Sequence, residues 1–273
     1  MTFGTMMVFV DPGETAKDRI TAAVELATRF NSLLIGLAAW PLRKDEVLEP
    51  SAVGFPPTDR SREDRIQEQL ARLGETFRRL AEKNPHGIEW RSSVHFPREV
   101  IAREARAADL VVIGSEALPG DIYHTYDPGT VILAAGRPVL VVPRDTPQVH
   151  ASRVLLAWKE AREARRAVRD ALPFLQKAKI VIIAVANPLG MQGVDEQVAD
   201  VARYLARHGV EVGQQVATAD AEEGHILLRM AEEHHADLIV AGAYGRTRLS
   251  EWIFGGVTRH LLTTSRVPCL FSN

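Results

Sequence analysis

The chain of 273 residues holds a single cysteine, Cys269, which rules out an intramolecular disulfide framework and any multi-cysteine metal site. Cys269 lies in the short apolar run 267–271 and reads as a small buried hydrophobe. An excess of charge of one sign is also lacking: 33 basic residues face 35 acidic ones, a net −2. A general nucleic-acid binder would carry a basic excess, so that partner is not expected. Arg162, Arg165, Arg166 and Arg169 do recur along one segment, but at that spacing they form the solvated face of an amphipathic helix. No stretch approaches the ~18 consecutive apolar residues of a membrane span. Residues 1–11 lack the basic region, long apolar core and cleavage site of a signal peptide. A cytoplasmic location, off the membrane, is the expectation.

Catalytic signatures are missing too. There is no serine in a nucleophile elbow, no P-loop lysine after a glycine run, and no pair of carboxylates in a suitable setting. His225 and His260 have no partner at metal-ligand spacing, and His234-His235 read as the end of a helix, where a cation suits the dipole. Neither a catalytic residue nor a metal site is therefore expected.

What is present is a repeat. Ala108-Asp109-Leu110-Val111-Val112-Ile113-Gly114 returns as Ala236-Asp237-Leu238-Ile239-Val240-Ala241-Gly242. Each copy follows a helical stretch and precedes a loop, another helix and a last strand opened by proline, Pro138 or Pro268. The first half reads as strands 6–10, 32–39, 88–95, 109–113 and 138–142 with helices 14–30, 61–83, 97–107 and 128–136 between them. The second reads as strands 153–158, 179–186, 210–217, 237–241 and 267–272 with helices 160–177, 191–208, 222–235 and 255–264. Strands such as Ile180-Val181-Ile182-Ile183-Ala184-Val185 are apolar throughout, as parallel strands covered on both faces are.

The expected fold is α/β: two doubly wound, mainly parallel five-stranded sheets with helices on both faces, related by pseudo-twofold symmetry. The domains expected are 1–143 and 151–273, joined by a short polar stretch, 143–150, with Pro143 and Pro147. Residues 41–60, with Pro50, Gly54, Pro56 and Pro57, read as a long loop, and loops of that length are commonly functional or mobile.

The most informative stretch is Gly242-Ala243-Tyr244-Gly245, nine residues, then Gly255-Gly256-Val257-Thr258. In a doubly wound sheet, ligands bind beyond the carboxyl ends of the strands at the switch in strand order. Glycines let the backbone approach an anion, and the N–H groups of Gly256, Val257 and Thr258 open a helix whose dipole favours phosphate. Arg246 and Arg248 could add charge-assisted contacts. The bland alternative is that these glycines serve only a tight turn and close helix packing.

At this loop the chain resembles the universal stress protein (UspA-like) family in its tandem form, with an adenine nucleotide alpha hydrolase-like fold. The resemblance covers almost the whole chain. The nucleotide-binding members carry G-x2-G-x9-G-[S/T], and Gly242, Gly245 and Gly255 match it, with Gly256 in place of the hydroxyl residue. The resemblance implies ATP or AMP, with or without Mg, in the second domain only. Its candidate contacts are Ala157, Lys159, Val185, Gly242, Gly245, Arg246, Gly255, Gly256, Val257 and Thr258. The family places an Asp after strand one; Asp11 stands there in half one, but Lys159 in half two. Half one lacks the second glycine after Gly114 and has Thr125-Tyr126 where the Gly-[S/T] pair belongs, so it is expected not to bind a nucleotide. Gly129-Thr130 come four residues too late, behind the helix start Asp127-Pro128.

Trp158 and Trp252 read as packing residues, and Tyr244 is open between covering a ligand and touching the neighbouring domain. The resemblance implies a stress-response binding and signalling module. A nucleotide-free scaffold, or a weak ATPase or hydrolase, remains as an alternative. It also implies that the last strands of the two domains pair within the chain, covering two sheet edges. Whether two chains then form a homodimer is open.

Overall fold

Strand β1 (Thr5–Phe9) is apolar from Met6 onward and fully covered, which places it mid-sheet. The computed structural model describes residues 2–13, 15–42, 59–115, 126–186, 193–218, 223–245 and 256–273. The expectations for most of the 41–60 loop, Arg246, Arg248, Trp252, Gly255 and Thr125 fall outside them. The first half runs β1, α1 (Ala16–Phe30), β2 (Leu33–Ala39), α2 (Asp59–Ala81), β3 (Ile88–Ser93), α3 (Pro97–Glu104), β4 (Leu110–Gly114), α4 (Pro128–Ala134) and β5 (Val139–Val142). The second runs β6 (Arg153–Ala157), α5 (Arg162–Asp170), α6 (Leu172–Leu175), β7 (Ile180–Ala186), α7 (Val194–Arg207), β8 (Val212–Thr218), α8 (Glu223–Glu233), β9 (Leu238–Gly242), α9 (Gly256–Thr264) and β10 (Cys269–Ser272).

One correction follows. The helix expected over 160–177 is α5 and α6, separated at Ala171, because Pro173 cannot donate back into the first helix and instead opens a new one. The two five-stranded sheets meet edge to edge through the expected pairing of their last strands, giving one ten-stranded sheet of order β3-β2-β1-β4-β5-β10-β9-β6-β7-β8. Each half contributes the same order outward from the junction. The junction is the antiparallel pair of last strands, with Cys269 opposite Val141, Leu270 opposite Leu140 and Phe271 opposite Val139. Fully apolar edges of this kind hide their unpaired N–H and C=O groups by pairing with each other.

The repeated Ala-Asp-Leu motif has a repeated job. Asp109 accepts hydrogen bonds from the N–H groups of Gly4 (2.8 Å) and Thr5 (3.0 Å), which lead into β1. Asp237 accepts from Ser152 (2.9 Å) and Arg153 (2.8 Å), which lead into β6. Each aspartate thus ties the fourth strand of its half to the first.

The stretch between the halves is packed down. Val149 is fully buried, and Arg29 donates to its carbonyl at 2.9 Å. Phe174 of the second half meets Phe3 and Phe30 of the first, with ring centroids 5.4 and 5.1 Å apart. Such edge and tilted contacts add about 0.5–1.5 kcal/mol each beyond their buried area. The halves share their cores on both faces of the sheet.

Candidate functional site

The strand order switches between β1 and β4 in one half and between β6 and β9 in the other, so each half has one crevice at its strand ends. Strand pairing sets the equivalences: Phe9 with Ala157, Ala39 with Ala186, Ile113 with Ala241, and Gly114 with Gly242.

In the first half the crevice is filled. Phe9, Ala39, Ile113 and Gly114 are all buried. Arg19 of α1 folds over the strand ends, where its Nε donates to the Phe9 carbonyl at 2.9 Å and its Nη2 pairs with Asp11 at 2.5 Å. The other Asp11 oxygen accepts from the Gly13 N–H at 3.0 Å. A Cβ at Gly114 would collide with the Arg19 guanidinium. Tyr126 closes the remaining side: its hydroxyl accepts from the Gly114 N–H at 2.8 Å, and its ring stands edge-on to Phe9, centroids 5.1 Å apart. Burial, assisted by the Asp11 charge, pushes the Tyr126 phenol up to about 12, so it stays a neutral donor. Burial works to lower the Arg19 pKa, but Tyr126 and Asp11 outweigh it and raise it further. Asp11, the position at which the family approaches adenosine, is thus committed to an internal cation.

In the second half the equivalent strand ends carry smaller side chains and stand half-exposed. Ala157, Ala186 and Gly242 are partly open, and Lys159 lies exposed at the rim. Lys159 replaces Asp11, and no arginine reaches across from α5. Instead the first turn of α5 comes down on Gly242: a Cβ there would fall 2.5 Å from the Ala164 nitrogen and 2.6 Å from the Glu163 carbonyl carbon. Gly242 is therefore required by close helix packing.

Glu163 is the residue that sequence reasoning missed. It is only 2% exposed, one oxygen is held by Arg162, and Oε2 finds no hydrogen-bond partner among the described residues. That oxygen lies 3.5 Å from where a Gly245 side chain would begin. Burial works to raise its pKa, but the Arg162 hydrogen bond and the nearby positive charges hold the carboxyl below its ordinary 4.5. Its α/β position, one residue into a helix behind an arginine run, gave no local signal of a buried acid.

The other candidates scatter in exposure. Gly245 and Val257 are half-buried, Gly256 is exposed with open space around it, and Thr258 is buried. Val185 packs its side chain into the core, leaving only its main chain for a ligand. Tyr244 adopts a left-handed backbone (φ 58°), rare for an aromatic residue, and its hydroxyl sits against Gly129 of the first half's α4, where a Cβ would collide with it. Of the two roles left open for Tyr244, contact with the neighbouring half is the one seen. Trp158 is buried in the core, Cys269 is a buried free thiol with its pKa pushed up to about 12 by burial, and the four arginines of α5 are exposed. His225 and His260, distant in sequence, meet with ring centroids 4.0 Å apart. Among the described residues no group of three metal-ligating side chains forms, and no helix is long and apolar enough to cross a membrane.

Residues 150–272 match the family model of the universal stress protein family. The second half of the chain thus carries a universal stress protein domain. A universal stress protein from Archaeoglobus fulgidus DSM 4304 has a similar fold over 99% of this chain and 98% of its own, with 17% identity and a TM-score of 0.77. A functionally unknown protein from Pseudomonas aeruginosa PAO1 is similar over 99% of this chain and 92% of its own, with 17% identity and a TM-score of 0.60. At such identity these likenesses speak to the fold alone, and they extend it over both halves. No curated protein matches the chain. The half that matches the family model is thus the one whose strand ends carry the smaller, partly exposed side chains.

Proposed function

We propose that the chain is a tandem universal stress protein, domains 1–143 and 151–273, acting as a binding and signalling module in the cytoplasm during stress. In this reading an adenine nucleotide, ATP or AMP with or without Mg, is held by the second domain alone. One observation carries it: Phe9, Ile113, Arg19 and Tyr126 fill the first crevice, whereas the equivalent strand ends of the second carry only Ala157, Ala241 and Gly242, with Ala157 and Gly242 partly exposed. The unpartnered oxygen of Glu163 offers an acceptor for a ribose hydroxyl, the role the family gives to the Asp replaced here by Lys159. The same carboxylate repels phosphate from Gly245, which leaves Lys159 and the N-terminus of α9 at Gly256, Val257 and Thr258 to receive the phosphates, with Arg246 and Gly255 as further candidates from the motif alone. Among the described residues neither crevice brings a nucleophile to a base, and turnover is no part of the proposal.

Native mass spectrometry of the full chain with added ATP or AMP tests it. The expected result is one nucleotide per chain, retained by Gly245→Ala and lost in Gly245→Asp, which adds a second carboxylate beside Glu163. A chain that stays empty at millimolar nucleotide contradicts the reading.

A nucleotide-free scaffold is favoured by a different observation. Gly242 is fully explained by the approach of α5, and Tyr244 by its place on Gly129, so the loop has a packing purpose without a ligand. An empty wild-type chain supports that reading.

A further inference from the structure

Between α5 and α7, away from the glycine loop, lies a cavity of about 360 Å³. This is within the ~300–1,000 Å³ of small-molecule sites. Its walls are Trp158, Val168, Val201 and Tyr204, an apolar surface with two aromatic faces. The indole N–H of Trp158 is buried and meets no acceptor among the described residues. Charged side chains surround the mouth, and most are already neutralised. Arg165 pairs with Glu160, and Asp200 with Arg203. Arg169, also lining the cavity, forms no ion pair among the described residues. The cavity therefore combines an apolar, aromatic interior with the Arg169 guanidinium at its edge, which is in no ion pair among the described residues though its charge acts on the adjacent Asp170. Planar rings fit the first, and a carboxylate, matched to the guanidinium fork, fits the second.

We propose that this cavity is a binding site for a small aromatic carboxylate, its ring against Trp158 and Tyr204 and its carboxylate on Arg169. The site shares no residue with the glycine loop and does not rest on the nucleotide reading.

The test is calorimetry and ligand-detected NMR on the full chain, with naphthoate as the probe and neutral naphthamide as its uncharged counterpart. Naphthoate should bind saturably at a single site, with naphthamide weaker by about tenfold or more. Arg169→Gln, at an exposed position that leaves the fold untouched, should weaken naphthoate by about tenfold and leave naphthamide unchanged. Val201→Trp, which fills the cavity, should abolish both, with thermal unfolding run alongside to show that the variant is folded. The proposal is overturned by absence of saturable naphthoate binding, by equal affinity for the two probes, or by binding that survives both substitutions.

Discussion

The two halves of the sheet share a strand order and an aspartate anchor, yet they finish their strand ends in opposite ways. Where the first half places Phe9 and Ile113, the second places Ala157 and Ala241. Where the first seals the gap with the buried pair Arg19 and Asp11 under Tyr126, the second keeps a buried carboxylate, Glu163, with one oxygen unused. The first half has turned its strand ends into core, while the second leaves a buried carboxylate oxygen without a partner among the described residues. The partner half is also used as a support, because Tyr244 of the glycine loop rests on α4 of the sealed half.

The comparison breaks most readily at Arg19. Arg19→Ala strands Asp11 in the buried crevice, and loss of one partner of a buried pair costs about 3–5 kcal/mol. Urea unfolding of the full chain should show that loss, and a change of under about 1 kcal/mol would mean the pair does not seal the first half. Next in size is the support contact. Gly129→Ala drives a methyl into the Tyr244 hydroxyl and should cost about 1–3 kcal/mol as overpacking. Tyr244→Phe should recover much of it, because the hydroxyl is the atom in the way; a double-mutant cycle with no coupling would deny the contact.

The smallest effect is in acid. Glu163 in the second half and Glu104 in the first both hold their carboxyls below the ordinary 4.5. Burial opposes this, but arginine hydrogen bonds outweigh it, from Arg162 in one case and from Arg103 and Arg91 in the other. The unfolded chain then takes up protons first as pH falls. Both groups therefore contribute stability above about pH 4.5 and lose it on further acidification. Glu163→Gln should flatten the acid limb of stability against pH by a few tenths to about 1 kcal/mol, since its arginine partner is largely exposed. An acid limb unchanged in both Glu163→Gln and Glu104→Gln would place the acid sensitivity elsewhere.

Much of the fold was readable because its signals are local. Continuously apolar strands mark a covered parallel sheet, Asp127-Pro128 marks a helix start, and indeed Asp127 caps α4 by accepting from the Thr130 N–H at 2.8 Å. The Ala-Asp-Leu repeat was visible as a pattern, while its task of anchoring the first strand required residues more than eighty positions away. The pairing of the last strands was implied by the resemblance, while the meeting of Phe174 with Phe3 and Phe30 depended on the docking of whole halves. At the sites, the missing glycine after Gly114 marked the first loop as departing from the motif, and residues 116–125 of that loop lie outside the described residues. The plug itself was not readable, since a tyrosine beside a lost motif and an arginine on an ordinary helix carry no mark of a shared destination. Glu163 was hidden for the same reason, on a helix whose arginines all face solvent.

The central claim, one sealed crevice and one open, is tested most directly by photolabelling the full chain with an azido-adenine nucleotide and mapping the modified peptides. The account predicts label confined to the second half, on peptides from the ends of β6 and β9 and the start of α9, and displaced by unlabelled ATP or AMP. Displaceable label on the first half, around Asp11, Gly114 or Tyr126, would contradict it.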